Sequence, residues 1–133
     1  MAYYIKLYFA TLAVFLAIDL VWLSLVARGF YRKQLGFLLS PSPNWLAAII
    51  FYLLFVVGLL VFVVAPGLEA GSLKITLLRA ALFGLITYAT YDLTNLATVK
   101  NWPIPITLVD LAWGTTLSVI VSLIGFLIGQ RLA

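Results

Sequence analysis

Cysteine and histidine are both absent from the 133-residue chain. Their absence removes disulfides, thiolate nucleophiles and the usual ligands of zinc, haem and iron–sulfur centres, so neither a metal site nor a cofactor is expected. Charge is scarce too: eight basic and four acidic residues make up 9% of the sequence, against 65% hydrophobic residues. Soluble domains carry roughly 25% charged residues, so this composition belongs in a membrane. There is no low-complexity tract, and no clustered DDxxD or DxxD motif of the kind used by membrane prenyl- and phosphotransferases.

What is present in quantity is long apolar runs. About 20 residues at ~1.5 Å each cross a bilayer core, and four such runs with brief connections fill the chain. The expected fold is an all-α integral membrane four-helix bundle, one transmembrane domain over residues 1–133 with helices at about 8–26, 45–65, 76–99 and 106–129. The first run follows a single lysine, is longer than a signal-peptide core and lacks a small-x-small cleavage site, which predicts a retained helix. The connection GFYRKQLGFLLSPSPN is long enough for a short helix in the headgroup layer, with Phe30, Tyr31, Leu35, Phe37 and Leu38 dipping inward and Arg32 and Lys33 facing phosphates. The alternative is a first segment that runs a turn or two further. Segment two, from Trp45, has no charge and reads as lipid-facing scaffold ended by Pro66-Gly67, with Ser72 as N-cap of the next helix. Arg79 is close enough to the start of segment three to snorkel to headgroups.

Polar residues are concentrated in the stretch Tyr88–Gly114. Tyr88, Tyr91, Asp92 and Asn95 share a helical face of segment three. Asn101-Trp102-Pro103-Ile104-Pro105 then breaks the helix, and Thr107, Asp110, Trp113 and Gly114 line one face of segment four. An earlier Asp19-Leu20-Val21-Trp22 repeats Asp110-Leu111-Ala112-Trp113. If the echo is a duplication it is an inverted one, since segments one and four run in opposite directions.

Let the N-terminus lie on face A of the membrane. Counting from helix ends at ~1.5 Å per residue puts Asp19, Asp92 and Asp110 roughly 8–14 Å below the other face, B. A carboxylate inside the bilayer costs about 2.5–3.5 kcal/mol on insertion scales, so each must face the bundle interior and be protonated, paired or hydrogen-bonded. One polar pocket is expected, lined by Asp19, Trp22, Tyr88, Tyr91, Asp92, Asn95, Trp102, Thr107, Asp110, Trp113 and Gly114, with Lys100 or Arg28 reaching down from the rim. The bland reading is that these groups only clasp helices together, at about 0.6–2 kcal/mol per hydrogen bond; a clasp needs one carboxylate, and this layer has three. Lys6, Lys74, Arg79 and Arg131 on face A balance Arg28, Arg32, Lys33 and Lys100 on face B, so the positive-inside rule sets no orientation and an antiparallel homodimer is compatible with the chain. The expected partners are membrane lipids and a small-molecule or lipid ligand; the net charge of +4 suits anionic headgroups and not nucleic acid.

The stretches IDLVWL, FYRKQLG, YATYDLTNLATVKNWP and VDLAWG resemble a family of small bacterial membrane proteins known as domain-of-unknown-function family 2177, over nearly the whole chain. The resemblance implies a four-helix protein of the bacterial inner membrane without an assigned activity. It also points to Asp19, Trp22, Tyr91, Asp92, Asn95, Trp102, Asp110, Trp113 and Gly114. In layout, though not in motif, the chain is similar to small multidrug-resistance transporters, which concentrate their chemistry in the first helix. The leading expectation is binding or transport of a small amphipathic or cationic molecule or lipid, coupled to protonation of Asp92 or Asp110. An enzyme acting on a lipid, with two Asp as acid and base or with Asp and Asn95 around Mg²⁺, is the alternative. A structural or accessory subunit is the third.

Overall fold

The computed structural model describes residues 1–133 and contains five helices, four of them long and apolar enough to cross a membrane. These four are α1 (Ala2–Val26), α3 (Trp45–Ala70), α4 (Leu73–Thr98) and α5 (Ile104–Leu132). Between α1 and α3 lies α2 (Arg28–Leu35), the short helix expected in the first connection. The helical membrane bundle read from composition is therefore the fold observed.

Two of the long helices are displaced from their expected bounds by a local physical cause: the end of α3 and the start of α4. Segment two does not end at Pro66-Gly67 but continues to Ala70 as part of α3. Just before the proline, Leu60–Val64 forms a π-turn, which widens the helix and accommodates the ring. Pro66 has no N–H for the carbonyl of Phe62, and Arg79 of α4 donates to that oxygen at 3.2 Å. Arg79 is thus engaged within the protein rather than serving as a free snorkel. Gly71, at φ +60°, ends α3, and the N–H of Ser72 closes back on the Gly67 carbonyl at 3.1 Å. Ser72 Oγ then accepts from Ile75 N–H at 3.2 Å, so α4 begins at Leu73 and not at Thr76.

Helix α4 packs most closely along α5, which is also in contact with α1. Small residues permit the close approach: Gly84 faces the Gly114 backbone and Ser118, and Gly114 lies under the Tyr88 ring. The apolar core, centred on Phe15, Phe55, Val56, Leu59, Leu117 and Val121, fills the middle of the bundle. Towards face A, the Tyr3 hydroxyl donates to the Gly129 carbonyl at 2.7 Å, tying the start of α1 to the end of α5. Towards face B, the helices part around a hollow.

Candidate functional site

The hollow is a cavity of about 740 Å³ enclosed by α1, α2, α3, α4 and α5. Its acidic wall consists of Asp19 and Asp110, and its aromatic walls include Trp22, Trp113, Tyr88 and Tyr91. Six residues of the expected pocket therefore line one cavity.

The two Asp-Leu-x-Trp segments meet there as antiparallel partners. Because α1 and α5 run in opposite directions, the acid of each motif lies level with the tryptophan of the other. Trp113 Nε1 donates to Asp19 Oδ1 at 3.2 Å. Trp22 Nε1 donates to the Tyr31 hydroxyl at 3.4 Å, and Tyr31 in turn donates to Asp110 Oδ1. Between these two bridges the indoles of Trp22 and Trp113 stack with centroids 4.2 Å apart and an interplanar angle of 8°. Asp19 and Trp22, one turn apart on α1, thus each bond to another helix, Asp19 to α5 and Trp22 to α2.

Asp92 is in a different environment. It is 0% exposed, and neither carboxyl oxygen has a hydrogen-bond donor. Its polar neighbour is the Asp110 carboxyl, close enough for a hydrogen bond when one of the two carries a proton. Asp92 is thus behind the cavity wall, reached from the cavity through Asp110. The three carboxyls do not converge into a single three-acid cluster.

The other expected pocket residues do not line the cavity. Trp102 is buried, packs with Leu35 and Ile106 beneath α2, and directs its indole N–H to Thr107 Oγ1 at 3.2 Å. Thr107 is occupied by that bond and by the Pro103 carbonyl. Lys100 is exposed and has no polar partner, Asn95 is half-buried one turn beyond Tyr91, and Gly114 serves the α4–α5 contact. The loop carrying Lys100 turns away at Asn101, which has φ +65°, leading the lysine off from the cavity.

Helices α2 and α3 contribute more than the sequence suggests. From α2 come Arg28, Tyr31, Arg32 and Leu35, and from α3 come Phe51, Tyr52 and Phe55. Segment two is therefore not scaffold alone. The Tyr52 phenol lies beside Asp19. Of α2, Phe37 and Leu38 just beyond its end stay exposed, whereas Tyr31 and Leu35 fold onto the bundle. A signal for this was present in Phe30-Tyr31-x-x-x-Leu35, whose spacing of one helical turn gives α2 an apolar side.

Burial, and then the hydrogen bond to Asp110, push the Tyr31 phenol above its ordinary pKa of about 10. Docking of α2 is thus fully supported below that ordinary value and is lost only as pH rises through the raised one. Hydrogen exchange across residues 28–35, corrected for intrinsic rate, should show constant protection from neutral pH to about 10. Tyr31→Phe should weaken that protection about tenfold or more at every pH, since hydrogen bonds to charged groups contribute about 1.5–3 kcal/mol. Unchanged protection in the variant would mean that α2 is held by Leu35 packing alone.

A family model described as "Predicted membrane protein (DUF2177)" matches residues 4–127. No curated protein and no solved structure matches the chain. The chain belongs to the DUF2177 family, and with four apolar helices of spanning length it is a multi-pass membrane protein.

Proposed function

We propose, for this member of the DUF2177 membrane-protein family, that the face-B cavity binds an amphiphilic small molecule or lipid and exchanges a proton with it at the Asp92–Asp110 pair. We further propose the inner, or plasma, membrane as its location, since its spans are apolar helices and not barrel strands. The observation carrying the proposal is a hollow of about 740 Å³ with two carboxyls in its wall and a third behind it, inside an otherwise apolar bundle. That volume falls in the roughly 300–1,000 Å³ range of small-molecule sites.

The route in is suggested by exposure. Phe51 of α3 and Tyr91 of α4 both line the cavity and are 47% and 57% exposed, so its wall is continuous with the outer surface between these helices. A molecule arriving in the face-B leaflet would pass from lipid to the carboxyls without crossing water. Binding near Asp110 would alter the sharing of a proton with Asp92, giving uptake a pH dependence of at most tenfold per unit for one proton exchanged.

Native mass spectrometry of protein released from mild detergent tests this, comparing wild type with Asp92→Asn and Asp110→Asn. A bound species on the wild type, with occupancy reduced about tenfold in Asp110→Asn, is the expected result. If no species is bound and all three proteins are equally stable, the cavity is not a ligand site and an accessory role takes its place.

A further inference from the structure

Resting on the reading of the cavity as a ligand site, we infer that its ligand is a phosphate-bearing amphiphile, held by Arg28 and Arg32, with the polar end of its headgroup at Asp19 and Asp110. Arg28 and Arg32 are one turn apart on α2, on the side that also carries Tyr31, and both line the cavity. No acidic residue is positioned to neutralise them: three of the four acids are in the bundle interior, and Glu69 is at the face-A end of α3. Two unpaired guanidiniums therefore stand at the mouth of the cavity, above two carboxyls. A simple lipophilic cation at the carboxyls would share the cavity with two unpaired guanidiniums and be repelled by them.

The opposite arrangement of charge in a ligand fits. Guanidinium offers a planar fork of donors that matches phosphate oxygens two at a time. Below it, Asp19 and Asp110 can accept from a hydroxyl or ammonium group attached to that phosphate. The stacked indoles and Tyr88 supply flat apolar surface beside this polar end. An alkyl chain attached to the phosphate has an apolar way out past Phe51 and Leu39.

The test uses the full chain in micelles of a phosphate-free maltoside detergent, titrated with hexadecyl phosphate, hexadecanol, hexadecyltrimethylammonium and inorganic phosphate, and read by tryptophan fluorescence. Hexadecyl phosphate should bind at least about tenfold tighter than hexadecanol, and the double variant Arg28→Gln/Arg32→Gln should lose about 10- to 100-fold for the phosphate while keeping its hexadecanol affinity. Retained hexadecanol binding shows that the variant is folded. Lys100→Gln, an exposed face-B charge outside the cavity, should leave phosphate binding unchanged. An equal loss in Lys100→Gln would make the effect one of surface charge and overturn the assignment. Preference for the ammonium probe would overturn it while leaving the cavity a ligand site. Inorganic phosphate binding as tightly as hexadecyl phosphate would overturn the amphiphile in favour of a soluble phosphate. Binding of none of the four would defeat the cavity reading itself.

Discussion

Gly84→Ala should destabilise the bundle by about 1–3 kcal/mol, whereas Gly29→Ala should stabilise it by about 0.5–1 kcal/mol, both measured by thermal or denaturant unfolding in one detergent. The chemistry of the two substitutions is identical, so their difference isolates packing. At Gly84 a β-carbon would run into the Gly114 carbonyl oxygen and lie 2.7 Å from Ser118 Oγ. One of these obstacles is backbone, which cannot rotate away, so α4 and α5 would have to separate. Separation would also lift Tyr88 from Gly114 and disturb the wall carrying Asp110. At Gly29, on α2, nothing lies within 4 Å of the added carbon, and alanine simply reduces the entropy lost on forming the helix. A neutral Gly84→Ala would show that the two helices are not in close backbone contact.

Opposite signs are also expected for two aspartates that neighbour each other. Asp92→Val should raise stability by about 1–3 kcal/mol, because it deletes a fully buried carboxyl whose one polar neighbour, the Asp110 carboxyl, keeps the Tyr31 hydroxyl as a partner. Asp110→Val should lower it by about 1.5–3 kcal/mol, because it leaves the Tyr31 hydroxyl without its acceptor and loosens α2. Both variants should lose the bound species seen with the wild type. Greater stability together with lost binding is what a residue kept for function predicts, since a functional site retains groups that folding alone would discard. If Asp92→Val unfolds the protein, the carboxyl is a structural element and the proton-exchange proposal fails.

The helices and the depth of the carboxyl layer were legible because both depend on counting. Hydropathy locates spans, and ~1.5 Å per residue locates Asp19, Asp92 and Asp110 along them. What counting cannot supply is the pairing. Trp102 has the residue type and depth of a pocket residue, yet Thr107, five positions on, takes its indole N–H, and a local bond of this kind has no periodic signature. Tyr31 and Arg32 entered the site because α2 folds back over the bundle, which takes Leu35 meeting Trp102 and Ile106 and Tyr31 meeting Asp110, contacts with distant residues that the sequence of α2 does not name. Pro66 misled for a similar reason: it breaks a helix only when the freed carbonyl finds no donor, and Arg79 provides one from another helix.

The exchange of partners between the two Asp-Leu-x-Trp segments has a consequence for inheritance. Although each motif reads as a self-contained unit along the chain, the hydrogen-bonded units are the crossed ones: Asp19 with Trp113, and Trp22 with Tyr31 and Asp110. Loss of Trp113 leaves Asp19 without its donor, so a lineage that changes one should soon change the other, while the adjacent Asp110 remains free of that obligation. Among diverging descendants of this chain, substitutions should therefore travel in pairs separated by most of the sequence, and an entire motif should not drift as a block.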